Sequence, residues 1–377
     1  MKKTITFGLF FCLFFFASII PAQNVPVKAT LQPYIDAGEL PGVVTVITTR
    51  DKILQIDAIG YADLETKRPM NSETIFWMAS QTKVVTAVAV MMLVEEKKLS
   101  LDEPATTYIP ELRNLRVIAE QNEQKTVLVP TERPVTLRML LSHTAGTVFI
   151  TPFQQKHGID SLPTEKALTD FITTPLAHQP GTKYLYSNVG IDIAAAIVER
   201  VSQTPFETFL EKRIFEPLGM KETSFWLTPE QMTRLAKPYR LDKENKTLVE
   251  TKIFFLTYPL ENRANRFPEG GGGLFSTPTE WVRFYQMLAG EGTFNGKQIL
   301  TPESVREIRT KQTGDLPNNY GLGVNIGGSV FGHGGSHGTE SKLDTKTGRI
   351  VQYFIQQENL PKAGEAQNTF IKMALTP

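Results

Sequence analysis

The alternation of apolar and polar residues predicts strands near both ends of the chain. Residues 43–50 (VVTVITTR) and 53–59 (ILQIDAI) are rich in β-branched residues and flank the polar pair Asp51-Lys52, which predicts a hairpin. Near the C-terminus, the stretches VFGHGGSHG and RIVQYFIQ have strand-like composition with turn residues between them. We therefore expect strands from both ends of the chain.

Helical patterns occupy the middle of the chain. Residues 84–94 are apolar on every side, so this helix should be buried all round. Residues 190–201 (GIDIAAAIVERV) have helical periodicity. Residues 228–231 and 277–280 each place a threonine before a proline, with an amide or acid three residues after the threonine, which is typical of a capped helix start.

These patterns divide the chain into an α/β body with an insert. The first part of the body is expected at residues 24–104 and the second part at residues 270–377, with a mainly helical insert at residues 105–269. Neither an internal repeat nor a low-complexity linker interrupts this organisation.

The first 23 residues predict a secretory signal peptide. A basic start at Lys2 and Lys3 precedes an apolar stretch from Ile5 to Ile20 and a polar exit near Ala22. A retained membrane anchor is the alternative, although the stretch is shorter than the ~20 residues that span a bilayer. We expect an exported bacterial protein, periplasmic or secreted, without stable membrane insertion after cleavage.

Composition narrows the possible chemistry. The chain has 377 residues, of which 41% are hydrophobic, enough for a large core in one domain or two closely joined ones. A net charge of +1 without long charge runs gives no basis for binding nucleic acid. The single cysteine, Cys12, lies in the predicted signal peptide, so the mature chain should lack cysteine catalysis, cysteine metal ligation and disulfides.

Ser80 and Lys83 stand three residues apart at the start of the apolar helix, where their side chains should share one face. A serine hydroxyl is a poor nucleophile until a base takes its proton, and an amine does so only when it is uncharged, a form that burial favours. The alternative is a capping serine followed by a lysine whose stem reaches water. Taken alone, Ser-x-x-Lys is frequent by chance.

Two later stretches offer groups that such a site would need. Tyr186 could relay a proton, and Asn188 could hold a substrate carbonyl or the lysine, although Asn188 or Ser187 could instead cap the following helix. Residues 333–336 (HGGS) offer backbone exposed by two glycines and a histidine directed at a ligand, or else a glycine-rich turn.

The order of these motifs resembles the family of class C β-lactamases, low-molecular-weight penicillin-binding proteins, D-aminopeptidases and β-lactamase-like, family VIII-type carboxylesterases. The segments VTLRMLLSHTAGT and GGGGLFSTPTEWVRFYQMLAGEG are similar to the same family, and the resemblance extends from about residue 28 to residue 375. It implies the α+β fold of β-lactamases and transpeptidases, an antiparallel sheet flanked by helices with an inserted, mainly helical region.

The resemblance also implies an acyl-enzyme mechanism on small-molecule ester, amide or D-peptide-like substrates. Ser80 would be the nucleophile, while Lys83 and Tyr186 would share the roles of general base and proton donor. The backbone N–H groups of Ser80 and Ser336 would form the oxyanion hole. The implied substrate-binding residues are Asn188, His333, Gly334 and Gly335. The resemblance implies no metal ion or cofactor.

This chain departs from the β-lactamase pattern at the third motif. Where β-lactamases place Lys-Thr-Gly, it has His333-Gly334-Gly335, which lacks a permanent cation and a hydroxyl for a substrate carboxylate. A literal Lys346-Thr347-Gly348 comes too late and is typical of a turn between strands. We therefore expect ester or peptide-like acyl substrates, with weak β-lactam hydrolysis.

Two other enzyme classes fit the sequence poorly. Residues 334–338 match Gly-x-Ser-x-Gly, but the α/β-hydrolase fold needs a histidine after the serine in the role of base, and none follows His337. His333 and His337 stand four apart, yet glycine-rich backbone does not present them as a helical metal pair. His143, in LLSHTAG, is expected to be structural.

A different class of function stays open. A penicillin-binding-like protein without turnover could bind a peptidoglycan-type ligand as a sensor or scaffold. The intact set of Ser80, Lys83 and Tyr186 favours the enzyme, because a binding protein has no use for a buried uncharged amine.

Overall fold

The computed structural model describes residues 25–242, 244–358 and 361–376, so the predicted signal peptide and Cys12 lie outside the described residues. The helices are α1 (Val27–Asp36), α2 (Thr82–Glu95), α3 (Leu137–Leu141), α4 (Pro152–His157), α5 (Thr164–Thr173), α6 (Asn188–Ser202), α7 (Phe206–Leu210), α8 (Glu216–Leu218), α9 (Pro229–Arg234), α10 (Pro278–Ala289), α11 (Pro302–Ile308) and α12 (Pro361–Leu375). The strands are β1 (Gly42–Thr49), β2 (Ile53–Asp63), β3 (Arg68–Pro69), β4 (Phe76–Trp77), β5 (Arg116–Gln121), β6 (Thr126–Pro130), β7 (Tyr239–Asp242), β8 (Thr247–Glu250), β9 (Phe275–Ser276), β10 (Thr293–Phe294), β11 (Lys297–Gln298), β12 (Asn325–Gly327), β13 (Val330–Gly334), β14 (Glu340–Asp344) and β15 (Arg349–Phe354).

An antiparallel sheet joins the two ends of the chain. Seven strands lie in the order β12-β13-β14-β15-β1-β2-β3, and β1 pairs with β15 on one side and with β2 on the other. In this register Val44 lies opposite both Phe354 and Ala58. The predicted β1–β2 hairpin is confirmed, and so is an antiparallel sheet built from both ends of the chain.

Helices cover both faces of this sheet. On one face α1 and α12 pack on β1 and β15 through a cluster that includes Leu31, Val43, Val351 and Phe370. On the other face lies the larger core, to which α2, α6 and α10 contribute. Within the described ranges, none of the helices combines the length and apolar character needed to cross a membrane.

The all-round burial predicted for α2 is confirmed. Its residues from Thr82 to Leu93 are buried, because α6, α7 and α11 pack around it. The only charged side chain in that stretch is Lys83, in the first turn. The fold therefore places a lysine amine at the N-terminal end of its most enclosed helix.

The region between the two parts of the body holds α3 to α9 and also two hairpins, β5–β6 and β7–β8. Both predicted helix starts are confirmed. Thr228 and Gln231 form a reciprocal capping box at α9. At α10, Thr277 caps the helix, but the Glu280 side chain turns away and accepts hydrogen bonds from the N–H of Glu222 and the hydroxyl of Thr223.

A buried ion pair fixes the segment that precedes the glycine run at residues 270–273. Arg266 and Asp160 are each 1% exposed, with 2.5 Å between the Arg266 Nε and Asp160 Oδ2 atoms. Asp160 Oδ1 also accepts from the Thr257 N–H at 2.8 Å. Because these partners compensate each other's burial, neither can be removed alone without leaving a charge in the interior.

We expect Arg266→Met to lower the free energy of unfolding by ~3–5 kcal/mol, since it leaves the Asp160 carboxylate buried without its cation. Urea denaturation followed by circular dichroism measures this change. The matched control is Lys212→Met, whose partner Glu216 is half exposed and which should leave the unfolding free energy near that of wild type. Equal midpoints for the two variants would contradict the anchoring role of the pair.

Candidate active site

Ser80 lies in a 3-10 turn, Ala79–Gln81, between β4 and α2. Ala79 has a φ of 48°, in the left-handed region, where a non-glycine residue stores roughly 1–3 kcal/mol of strain. The turn leaves Ser80 half-buried, and its side chain caps neither helix. The Ser80 Oγ atom lies instead 3.1 Å from the Nζ atom of Lys83.

The Lys83 amine is completely enclosed and has three oxygen partners. The side chain is 0% exposed, which excludes the alternative of a stem that reaches water. Besides Ser80 Oγ, its Nζ lies 2.7 Å from Asn188 Oδ1 and 2.6 Å from the Gly271 carbonyl oxygen. It also lies 4.7 Å from the centre of the Tyr186 ring. The structure therefore brings Ser80, Lys83, Tyr186 and Asn188 together.

The chemical types of these three partners determine which hydrogen bonds the Lys83 amine can donate and accept. The Asn188 and Gly271 oxygens can only accept hydrogen bonds, so they take both N–H groups of an uncharged amine. The lone pair then faces the Ser80 hydroxyl, which can donate its proton to it. When the amine gains a proton, the third N–H points back at Ser80 Oγ. The geometry thus accommodates both protonation states of a general base.

In the turn before α6, the neighbouring residues Ser187 and Asn188 have separate roles. Ser187 caps α6 by accepting from the Gly190 N–H at 2.9 Å, which leaves Asn188 free to bind Lys83. The capping alternative therefore holds for Ser187 alone. His143 lies beneath the Tyr186 ring, with 4.5 Å between the ring centres, and its Nδ1 accepts from the Ser187 N–H. Burial and the Lys83 charge hold the pKa of His143 well below its usual range, so it supports the turn as an uncharged ring.

His333 packs beside Tyr186, although its place before two glycines predicts a ring directed at a ligand. The residue is 4% exposed. The Tyr320 hydroxyl lies 2.9 Å from Nε2, and the Gly334 carbonyl oxygen lies 2.6 Å from Nδ1. Burial, reinforced by the Lys83 charge, lowers the pKa of His333 to about 3. An uncharged ring that carries its proton on Nδ1 satisfies both contacts, with Tyr320 as the donor to Nε2.

Ser336 follows β13 and lies beside the Ser80 turn. A Cβ atom on Gly335 would come within 2.5 Å of the Met78 carbonyl oxygen, so only glycine allows this close approach. The Thr339 hydroxyl donates to the same oxygen at 3.3 Å. The 3-10 turn that begins at Ser336 and the turn that carries Ser80 are therefore in contact, as a shared oxyanion hole requires.

The glycine run at residues 270–273 binds the α2 region through successive carbonyl groups. The Gly270 oxygen accepts from the Thr86 hydroxyl at 2.8 Å, the Gly271 oxygen accepts from Lys83, and the Gly272 oxygen accepts from the Trp77 indole at 2.6 Å. Side chains would obstruct this contact: a Cβ on Gly271 would lie 3.0 Å from Asn188 Cγ. The run lets backbone reach the lysine.

Neither misleading motif has the structure that its sequence pattern suggests. Ser336, at the centre of Gly-x-Ser-x-Gly, lies on a 3-10 turn between strands rather than on a strand-to-helix elbow. Lys346-Thr347-Gly348 forms the β14–β15 turn, where the Asp344 carboxylate accepts from the Lys346 N–H and the Thr347 hydroxyl. Among the described residues, no group of three or more His, Cys, Asp or Glu side chains is placed to hold a metal ion.

Sequence reasoning missed three residues of the site. Tyr320 precedes a glycine in an irregular segment before β12, and nothing in its neighbourhood predicts contact with His333. Asp192 and Glu269 are buried near Gly271, at 3% and 0% exposure. In the sequence, Asp192 is an acid within the apolar run of α6, and Glu269 is an acid immediately before four glycines. These unusual positions could have indicated both residues.

Comparison with known proteins adds a family to this geometry. The family described as Beta-lactamase matches residues 27–376. Protein Rv1367c of Mycobacterium tuberculosis is 32% identical over 87% of this chain and 89% of its own length. The lovastatin esterase of Penicillium rubens is 29% identical over 76% of this chain and 72% of the esterase.

A solved structure confirms the expected α+β fold. EstCE1, described as a hydrolase with promiscuous acyltransferase activity, matches 93% of this chain and 97% of its own chain with a TM-score of 0.78. At 23% identity this match shows a common fold. The antiparallel sheet flanked by helices therefore agrees with both the resemblance and the coordinates.

We expect Gly271→Ala to lower any turnover of p-nitrophenyl esters at this site by about 100-fold, because its methyl group would push on Asn188 and Glu269 and displace the carbonyl that holds Lys83. Steady-state kinetics with p-nitrophenyl butyrate measures the change. Gly327→Ala in β12 is the matched control, since its Cβ would meet no atom closer than 4.0 Å. Equal loss in both variants would show that the substitution acts through general destabilisation.

Proposed function

This chain belongs to the β-lactamase family, and from that premise we propose that it is a serine hydrolase of small carboxylic esters that works through an acyl-enzyme at Ser80. The observation that carries the proposal is the enclosed Lys83 amine, 3.1 Å from the Ser80 hydroxyl and otherwise held by atoms that only accept. The esterases among its relatives support the same reading. Export of the enzyme rests on the sequence of residues 1–23.

In the acylation step, Ser80 Oγ attacks the ester carbonyl carbon while its proton passes to Lys83 Nζ, either directly or through the Tyr186 phenol. The backbone N–H groups of Ser80 and Ser336 bind the oxyanion, each contributing about 3 kcal/mol in sites of this kind. Collapse of the intermediate breaks the ester C–O bond, and the leaving alkoxide takes a proton from Tyr186 or Lys83. The products are the alcohol and the acyl-Ser80 ester.

Deacylation repeats the same steps with water as the nucleophile. Water attacks the acyl carbon and gives its proton to the base, and the Ser80 oxygen leaves and regains a proton from it. The Asn188 oxygen already binds Lys83, so its NH2 group is the part that would contact substrate, together with the backbone of Gly334 and Gly335. An alcohol in place of water would give acyl transfer.

The charge at the third motif favours esters over β-lactams. A ring with a pKa of about 3 is uncharged at neutral pH, so His333 supplies no cation for a substrate carboxylate. Its Nε2 atom lies 3.5 Å from the Tyr186 hydroxyl and 2.9 Å from the Tyr320 hydroxyl, so the uncharged ring packs beside the phenol. Weak β-lactam turnover is still expected, because the nucleophile and base are the same for both reactions.

An arc of aromatic rings supports an apolar substrate group. This aromatic rim consists of Phe149, Phe255, Phe254 and His337, with successive ring centres 6.4, 3.9 and 6.5 Å apart. It starts at Tyr186, whose ring stacks on Phe149, and it ends beside Ser336. Phe149 and Phe254 are 39% and 62% exposed. Exposed aromatic rings at a catalytic site are typical contacts for an apolar acyl or alcohol group.

We expect Ser80→Ala to abolish ester turnover and Lys83→Ala to slow acylation by at least ~100-fold with the fold intact, because a positioned base contributes that much. The assay compares p-nitrophenyl acetate and butyrate, a chromogenic cephalosporin and D-Ala-D-Ala peptides. Lys97→Ala, exposed beyond the C-terminal end of α2, is the matched control and should behave as wild type. If wild type and Ser80→Ala are equally inert towards every substrate, the hydrolase proposal is wrong and a binding function replaces it.

We expect Phe254→Ala to lower kcat/KM for p-nitrophenyl octanoate by about tenfold relative to p-nitrophenyl acetate, because the longer chain loses its apolar contact. Ile53→Ala is the control, since Ile53 is also an exposed apolar residue but lies at the β1–β2 turn, at the far end of the sheet from Gly334. A chain-length preference that is the same in both variants would remove the aromatic rim from substrate binding.

A further inference from the structure

Two buried carboxyl groups, from Asp192 and Glu269, lie against the glycine run that holds Lys83. Asp192 is one helical turn beyond Asn188 in α6, so the two side chains share a face of that helix. Glu269 immediately precedes the glycine run. Neither carboxyl contacts the Ser80 hydroxyl, and the mechanism above uses neither of them.

Gly271 connects this pair to the amine. Its N–H donates to Asp192 Oδ1 at 3.1 Å, and its carbonyl oxygen accepts from Lys83 Nζ at 2.6 Å. Helix α6 therefore binds Lys83 twice, directly through Asn188 and indirectly through Asp192 and Gly271. Any movement of the Asp192 side chain would be passed to the carbonyl that orients the amine.

The second carboxyl group, from Glu269, packs against the backbone of Gly271 and Gly272. A Cβ on Gly271 would lie 2.6 Å from Glu269 Oε1, and one on Gly272 would lie 3.1 Å from Oε2, so the carboxyl lies against the backbone of its own loop. Asp192 Oδ2 and both Glu269 oxygens are buried, and no N–H or hydroxyl among the described residues donates to them. Asp192 and Glu269 are within hydrogen-bonding reach of each other. A carboxylic acid can donate to a carboxylate, so a proton held between the two would provide the missing hydrogen bond.

Lys83 is the cation on which a charge at Asp192 or Glu269 would act most directly. Arg266, on the same segment as Glu269, is already bonded to Asp160. His143 and His333 are on the Tyr186 side of the amine, and burial lowers the pKa of each. A full negative charge on both carboxyls would therefore act mainly on Lys83 and favour its ammonium form.

We propose that Asp192 and Glu269 are positioning residues that hold Gly271 against Lys83 and share a proton, so that the pair limits the negative charge behind the catalytic amine. This role rests on the proposed function, because it matters only if Lys83 must lose its proton. Burial raises the pKa of both carboxyls, and the neighbouring Asp192 charge raises that of Glu269 further. Protons kept on this pair limit the negative charge near the Lys83 amine.

The kinetic test compares the pH profiles of kcat/KM for p-nitrophenyl butyrate. Asp192→Ala loses the bond to Gly271 and should lower kcat by about tenfold or more at every pH. Asp192→Asn can still accept from the Gly271 N–H and should recover most of that loss. Because it removes a negative charge, its acidic limb should lie about half a pH unit or more below that of wild type. Asp344→Asn, in the β14–β15 turn, should leave the limb in place.

A stability measurement tests the shared proton without enzyme activity. A carboxyl with a raised pKa binds its proton more tightly in the folded chain, so the stability it gives is present below its unfolded pKa of about 4 and is lost as pH rises through the folded value. The unfolding equilibrium constant of wild type should therefore increase between pH 5 and pH 8. The ratio of the constant at pH 8 to the constant at pH 5 should be about tenfold smaller in Asp192→Asn and in Glu269→Gln than in wild type. The Asp344→Asn control should follow wild type.

The kinetic test and the stability test distinguish a failure of the proposed hydrolase function from a failure of the shared-proton proposal. Inactive wild type with the expected stability difference would refute the ester hydrolase and leave the shared proton standing. An active enzyme whose Asp192→Asn variant has an unshifted acidic limb and the wild-type stability profile would overturn the proposal. If Asp192→Ala does not fold, the Asp192→Asn and Glu269→Gln variants still decide it, since both conserve volume.

Discussion

The structure depends on one requirement: an amine removed from water must have a partner for each of its hydrogen-bonding positions. Lys83 meets it with two oxygens that only accept, from Asn188 and Gly271, and one hydroxyl that can also donate, from Ser80. That asymmetry directs the lone pair of the uncharged amine at the serine. A buried lysine without such partners would be costly to the fold. The same contacts therefore satisfy the interior and hold the amine against the hydroxyl of the proposed nucleophile.

Meeting this requirement draws on distant parts of the chain. Helix α2 supplies Lys83, the start of α6 supplies Asn188, and the glycine run supplies the third partner, so the body and the intervening region must pack before the amine is satisfied. Backbone strain accompanies this closure. Ala79, His143 and His337 all have positive φ, and each lies in a turn that contributes to the site. Strain at such positions is tolerated where the surrounding packing holds it in place. The interior that encloses the lysine also supplies that packing.

The sequence predicted what local spacing determines. Ser80 and Lys83 share a helical face, and the all-apolar run from residue 84 to residue 94 implied the burial that the structure has. It also predicted the β1–β2 hairpin, because alternation and turn residues are local signals. Tyr320 and Glu269 act through contacts made by irregular segments, whose path no periodicity encodes. The direction of the His333 ring was not predictable either, since it depends on Tyr320, which is 13 residues earlier in the chain.

The change from lysine to histidine at the third motif alters more than substrate charge. A lysine at residue 333 would place a second cation near Tyr186, and a neighbouring cation favours phenolate over phenol. The uncharged His333 gives no such help, since its Nε2 already accepts from Tyr320. The role of base in the proposed mechanism therefore falls more heavily on Lys83, whose Nζ lies 4.7 Å from the centre of the phenol ring. Compared with an enzyme that has a lysine at the third motif, such an enzyme would depend more on the charged groups near Lys83. In this chain, the groups in that place are Asp192 and Glu269, joined to Lys83 through Gly271.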